Sequence, residues 1–361
     1  RPALFHKLSF GTRWNMRDIM RHRSRTAMSL FGIVGCMILI VGSLGMGDTM
    51  DAFLDLYYDG ATNYASRIYL AEDATAQQRD RVRDEYSGDV SQSLSVQIDD
   101  KAVSLDIYEI EHDMVRFPDE HNDYVNIGDD GAYICMRLAD EFGLSVGDSF
   151  TVSPFGSDDE YKLKVAGLVR SVSESITVTA DYAEKLGIDF VPDSVYTATE
   201  KSDIASDAAI KSVQSKQMII DSFDTFTDLM DTMIILLISG ALILGVVVLY
   251  NLGVMSYTER YREMATLKVV GFKDAKIGRL LIGQNLWLSA IGVLLGLPSG
   301  VGVLAYLLKA LAGEYEMKLA VSAQTVIFSI ALTVGMSLLV SLMVSRKNKK
   351  IDMVEALKGA E

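Results

Sequence analysis

Zinc would fall to the histidines His6, His22, His112 and His121. No two of them stand four apart and no His-Glu-x-x-His run occurs, so no helical ligand pair is available. Calcium fares no better, because Asp129-Asp130 and Asp158-Asp159-Glu160 are contiguous acids rather than the spaced ligand series of an EF-hand loop. Nucleophile motifs of the Gly-x-Ser-x-Gly kind are missing. The sequence contains no Gly-Lys pair, hence no Walker-type phosphate loop, and the chain does not hydrolyse ATP by such a site. The expectation is a non-catalytic chain with no metal and no cofactor of its own.

The residues that can do mechanical rather than covalent work lie in one loop and its flanks, from Tyr257 to Phe272. Glu259 and Arg262 stand at i, i+3 and Glu259 and Glu263 at i, i+4, while Met264, Leu267 and Val270 recur every three residues as an apolar ridge. Gly271 supplies a helix stop and Asp274 a cap for the helix that follows. The pattern predicts a stiff helical hairpin that a partner can grip; the alternative is a solvated connector.

Four stretches position that loop. Residues 26–47, 232–258, 280–308 and 319–345 contain no Asp, Glu, Lys or Arg. Each is longer than the roughly 20 apolar residues a helix needs to cross a hydrocarbon layer. They read as four transmembrane helices, the first too long and too far behind a basic segment to be a cleaved signal peptide. Orientation follows the cations of the flanking segments. Segment 1–25 carries seven Lys/Arg against one acid, 259–279 six against three, and 346–361 five against three. Residues 48–231 carry 14 against 39, and the hairpin 309–318 two of each. Both termini and the loop 259–279 are therefore expected in the cytoplasm and 48–231 outside, in a multi-pass protein of a bacterial plasma membrane. The outer excess of acid fits cationic ligands, or simply solubility and repulsion from anionic headgroups.

Before the first span, Arg13, Arg17 and Arg21 recur at i, i+4 and Trp14 suits an interface, predicting a basic helix on the inner lipid surface or a plain positive-inside anchor. These cations lack interleaved aromatics, so no nucleic-acid partner is expected. Cys36 lies inside a span and Cys135 in the outer region, which excludes an internal disulfide. The chain starts at Arg1 rather than Met and reads as part of a longer protein.

Alternation predicts strands at 67–70, 90–98, 102–110, 149–153, 161–169 and 193–199. Helices are expected at 49–58, 74–85, 131–143 and 180–186, and one at 205–230 running into the second span. The fold class is a membrane α-helical protein with four transmembrane helices and an α+β extracytoplasmic domain inserted between helices 1 and 2. Gly292, Gly296 and Gly300 permit close helix approach, to another subunit or to another span of this chain, and Pro298 breaks the local hydrogen-bond ladder. Gly32 and Gly35 can receive a neighbour likewise.

Three runs carry a family resemblance: Tyr257-Thr258-Glu259-Arg260-x-Arg262-Glu263-x-Ala265-Thr266-Leu267-Lys268-x-x-Gly271-Phe272; Gly292-x-x-x-Gly296-x-Pro298-x-Gly300; and Lys350-Ile351-Asp352-x-Val354-Glu355-Ala356-Leu357-Lys358. With the layout of one span, a large outer domain and three spans, the chain resembles the FtsX-like permease family, also called MacB-type or type VII ABC permeases, as the C-terminal half of a larger permease. Leu138 to Asp148 is similar to a helix-turn-strand common in such outer domains. The chain departs from the family early in the third span, where Gln284-Asn285 replaces a frequent Glu.

The resemblance implies a permease subunit for export or extraction of peptide, lipid or drug. A separate cytoplasmic ABC ATPase dimer would bind the ATP, and a second permease half, identical or on the same polypeptide, would complete the assembly in membrane lipid. Glu259, Arg260, Arg262, Glu263, Met264, Leu267, Lys268, Gly271 and Phe272 would dock on the ATPase, and the outer domain would move by mechanotransmission. The alternative is a non-transporting signalling or scaffold protein of FtsX type that regulates cell-wall enzymes or senses peptides. A secondary carrier is disfavoured, because the four runs hold no ionisable acid or base of the kind ion-coupled carriers bury.

Overall fold

The computed structural model describes residues 21, 23–156, 159–259, 265–266, 269–271, 274–311 and 317–347. Its elements run α1 (Arg23–Leu54), a π-helical turn (Asp55–Gly60), β1 (Ser66–Leu70), α2 (Ala76–Tyr86), β2 (Asp89–Ile98), β3 (Lys101–Tyr108), β4 (Phe117–Pro118) and β5 (Tyr124–Val125). There follow β6 (Ala132–Cys135), α3 (Met136–Phe142), β7 (Ser149–Pro154), β8 (Tyr161–Val169), β9 (Ser175–Thr179), α4 (Ala180–Lys185) and β10 (Ser194–Thr197). The chain continues through a 3-10 turn (Lys201–Asp203), β11 (Ile210–Ser215), α5 (Lys216–Glu259), α6 (Asp274–Leu311) and α7 (Ala323–Lys347). Two compact units result, a helical one within Arg1–Thr49, Leu229–Leu308 and Leu319–Glu361, and a β-rich one formed by Met50–Asp228 with Lys309–Lys318.

In the β-rich unit nine strands follow the order β11-β1-β10-β2-β3-β9-β6-β8-β7, and β7 returns to pair with β2 through Val96 opposite Pro154. Strands β2, β3, β9, β6, β8 and β7 therefore close on themselves, with β3–β9 and β6–β8 parallel. The alternating residues Val96, Leu105, Ile107, Ile134, Leu163 and Ile176 fill the interior, and Leu138 of α3 and Ala183 of α4 pack on the same core. A second cluster under α2 joins Ile68, Leu70, Val82, Val90 and Val195 on the β1–β10 extension, which leaves β11 as the free edge.

Local chemistry sets the boundaries. Thr75 starts α2 with a capping box: its hydroxyl accepts from Gln78 N, and Gln78 Oε1 accepts from Thr75 N at 2.8 Å. Gly143, at φ +64°, ends α3 in the left-handed conformation that a side chain disfavours.

Three expectations change. Residues 131–143 form not one helix but strand β6 followed by α3, because Tyr133 and Ile134 pair with β8 on one side and β9 on the other. Hydrogen bonds from two neighbours outweigh the helical spacing of Ile134, Leu138 and Phe142. Residues 210–215 form strand β11 rather than the start of the long helix, since Ile210, Ser212, Val213, Gln214 and Ser215 add to β1. Strand β9, which sequence reasoning missed, is buried at all five positions, so it shows no alternation to read.

Candidate functional site

Four helices are long and apolar enough to cross a membrane: Thr26–Gly60, Lys216–Met255, Asn285–Ala310 and Ala323–Ser345. The most apolar stretch of the first is 39% buried and that of the second 11%, so α1 is the enclosed helix and α5 the peripheral one.

Two seams hold the helical unit together. Gly292, Gly296 and Gly300 of α6 lie against Ile33, Met37 and Val41 of α1, both sets at i, i+4. A methyl group at Gly296 would fall 2.6 Å from Met37 Cβ, and one at Gly300 3.0 Å from Val41 Cβ. A methyl at Gly292 would overlap Ile33 Cγ2 outright. The glycines thus face another span of this chain. Exposed Pro298 points away from that seam, and α6 continues through it as a single helix.

The second seam belongs to α7, which carries Thr325, Ser329, Thr333, Ser337, Ser341 and Ser345 at every fourth position, the first five of them buried. The Ser337 hydroxyl meets Ser289 of α6 at 2.5 Å, Asn285 Nδ2 donates to Ser341 Oγ at 2.9 Å, and Thr333 Oγ1 donates to Met37 Sδ at 3.3 Å. Asn285, at the departure from the family pattern, is thus committed to a bond between helices. This ladder was missed, although its period of four is legible once hydroxyls are counted as packing residues.

Helix α5 crosses α1 at Gly32, where a methyl would meet Val248 Cγ1 at 2.9 Å, and at Cys36, whose thiol donates to Ala241 O at 3.0 Å. Gly35 lies off that line, and among the described residues nothing comes within 4 Å of a methyl built there, so no described span of this chain packs on it. Cys36 and Cys135 are both buried and neither forms a disulfide.

Helix α5 ends at Glu259 and α6 begins at Asp274. Between them Gly271 takes φ +96°, open to glycine and strained for other residues, and Val270 N donates to Thr266 O at 3.0 Å. Arg260, Arg262, Glu263, Met264, Leu267, Lys268 and Phe272 lie outside the described residues, as do Arg13, Trp14 and Arg17. Arg21 is helical and exposed.

One face of the β-rich sheet carries a polar network. Arg67 donates to Ser194 Oγ at 2.9 Å and its guanidinium lies 4.7 Å and 5.0 Å from the Tyr69 and Tyr196 ring centres. Ser194 donates to Asp193 at 2.6 Å, Asp193 accepts from Ser93 N at 2.8 Å, and the Ser93 and Ser104 hydroxyls both donate to Asp106 Oδ1. Burial pushes the Asp106 carboxyl up, against the two serine hydrogen bonds and Arg67. The acidic surface carries ion pairs such as Lys101 with Glu141 and with Glu174, and Asp129, paired with Lys185, is held below the usual carboxylate range by that hydrogen bond. Among the described residues no cluster of three metal-ligating side chains forms. The network is structural cross-linking between β1, β10, β2 and β3.

Four helices are long and apolar enough to span a membrane, and a β-rich domain lies between the first and second. Residues 235–353 match the family model described as FtsX-like permease C-terminal, consistent with an FtsX-like permease. This is a family of type VII ABC-transporter-like permeases, generally non-catalytic, that work with cytoplasmic ABC ATPases. The match takes in most of α5, the loop after it, α6 and α7. No curated protein sequence matches the chain.

Proposed function

We propose that this protein is the non-catalytic permease subunit of an ABC system of the MacB type, which turns nucleotide turnover on a separate cytoplasmic ATPase dimer into movement of an extracytoplasmic β-rich domain. The carrying observation is the family match over residues 235–353, which includes the charged loop between α5 and α6. In this reading Glu259, Arg260, Arg262, Glu263, Met264, Leu267, Lys268, Gly271 and Phe272 receive the ATPase. The segment with Arg13, Trp14, Arg17 and Arg21 lies on anionic headgroups, and both termini are cytoplasmic. No cofactor is held by this chain.

Helix α5 supports transmission, since it runs unbroken from the end of β11 to Glu259 over 44 residues. At a rise of 1.5 Å per residue such a helix is roughly 65 Å long. The charge-free runs support transmission over conduction, because they place no ionisable group where a hydrophilic solute would need one. Ile235, Leu236, Ile243, Leu244 and Val247 of α5 are exposed, a face for lipid or for a second permease half.

Deleting residues 263–271 is expected to abolish co-purification with the ATPase while the protein still inserts; retained binding overturns the docking assignment. Labelling of single cysteines from either side of intact cells checks the orientation, and a hairpin 259–279 reachable only from outside would reverse it. Extraction or flux in vesicles with the ATPase present separates transport from signalling.

A further inference from the structure

The β-rich unit contains a cavity of about 760 Å³, within the size range of sites for small organic ligands. Met50, Phe53, Met218, Phe223, Phe226 and Met317 are among its lining residues. Phe53 and Phe223 stand edge to face with ring centres 6.1 Å apart, and Tyr58 lies 5.3 Å from Phe223. Flexible methionines among aromatic rings suit a long apolar chain that adopts several conformations.

Two polar groups of the same cavity, on Lys201 and Gln214, can donate to a ligand. Lys201 is exposed, its ammonium contacts the Met218 sulfur at 3.5 Å, and it makes no ion pair among the described residues. Lys101, Lys185 and Lys211 of the same unit are each paired with a carboxylate, so their charges are met where that of Lys201 is not. A thioether is a weak acceptor and leaves the cation's demand unmet. Gln214 accepts from the Tyr69 hydroxyl at 3.0 Å through Oε1, which leaves its amide nitrogen free to donate. Ser212, beside it on the free edge β11, also lines the cavity.

We infer that this cavity binds a single-chain amphiphile with one anionic head: the acyl chain lies between Phe53, Met218 and Phe223, and a carboxylate is received by Lys201 and the Gln214 amide. One cation matches one negative charge, and a cavity of this volume encloses one chain rather than the two of a membrane phospholipid. The inference does not depend on the ATPase reading and is tested without nucleotide or ATPase, so either can fail alone.

The full chain in phosphatidylcholine nanodiscs is photolabelled with diazirine-bearing palmitate and, separately, with the matching hexadecanol, and the labelled peptides are mapped. Palmitate is expected to label the peptides of Phe53, Met218 and Phe223 in preference to the alcohol. Lys201→Met should lower that labelling about fivefold, as for loss of a partly exposed ion pair, and Lys201→Arg should restore it. Equal labelling by acid and alcohol, no effect of Lys201→Met, or labelling confined to the charge-free runs 26–47, 232–258, 280–308 and 319–345 each overturns the assignment. Displacement of palmitate by phosphatidylglycerol or by an acidic apolar peptide, as effectively as by unlabelled palmitate, overturns the single-chain occupant. Lys201 is exposed, so these variants keep the fold, and proteolysis patterns matching the parent protein verify it.

Discussion

Leu105, Ile134, Leu163 and Ile176 are fully buried within the closed part of the β-rich sheet, whereas the buried lines of the helical unit are three glycines against α1 and a row of Ser and Thr along α7. Large aliphatics face one another in the first interior, whereas in the second glycines and hydroxyls pack against the large side chains of α1, Ile33, Met37 and Val41. In water, burying a Leu or Ile contributes about 1.5–3 kcal/mol because apolar surface leaves the solvent. In lipid the surroundings are as apolar as the side chain, so helices associate through close packing and hydrogen bonds between them. The β-rich interior follows the rule for water, and the four helices long and apolar enough to span a bilayer follow the rule for lipid.

The largest effect that follows is Leu105→Ala, expected to destabilise the β-rich unit by about 2–5 kcal/mol, seen as a lower denaturation midpoint and earlier proteolysis of that unit. Leu304→Ala, equally buried in the helical unit, should cost clearly less in a bilayer; an equal loss would break the comparison.

Next comes Gly296→Val, whose added carbon collides with Met37 and Val34. Overpacking of this kind costs about 1–3 kcal/mol, measurable as loss of disulfide formation between cysteines placed on α1 and α6. Gly35→Ala, with nothing within 4 Å, should leave crosslinking and stability unchanged.

A pH effect of intermediate size belongs to the β-rich unit alone. His112 packs on Phe117, ring centres 5.4 Å apart, and burial holds its pKa below the ordinary 6.5, ahead of opposite pulls from the Val115 backbone and Asp89. The unfolded chain therefore takes up the proton first as pH falls. Stability is complete above 6.5 and declines as pH drops from there toward the lower folded-state value. The melting temperature of this unit should fall between about pH 7.5 and pH 5.5, and His112→Phe should flatten that slope.

The smallest effect is Ser337→Ala, which removes one rung of the α7 ladder at a cost of about 0.6 kcal/mol. Ser329→Ala should be neutral or slightly stabilising, because the buried Ser329 hydroxyl has no hydrogen-bond partner among the described residues.

Legibility from sequence divides along the same line. That four long apolar helices exist was readable, because absence of charge over 22 to 29 positions is a property of the segment itself, but their ends were not: α1 runs on to Leu54 and α5 begins at Lys216. Strands with one wet face, such as Lys101–Tyr108 and Tyr161–Val169, were readable by alternation. Two were not: β6 carries helical spacing, and β9, buried at all five positions, shows no alternation at all. Of the candidate site, the glycine line was visible as spacing, but whether it faced a second subunit or α1 was open. The cavity beside Lys201 was invisible, since its walls come from positions 50, 53, 69, 201, 213, 218, 223 and 317.

Composition and spacing alone determined that four segments are apolar enough to span a bilayer, that a large acidic region separates the first two, and that the chain lacks a phosphate loop of the Walker type. Each is a sum over neighbours in the chain. Which strand sits beside which, that β7 closes onto β2, that the glycines of α6 receive α1, and that Lys201 stands over an apolar cavity without a carboxylate were decided only by tertiary structure. Those facts depend on contacts between residues tens to hundreds of positions apart, and no local pattern encodes which of many possible partners a residue will meet.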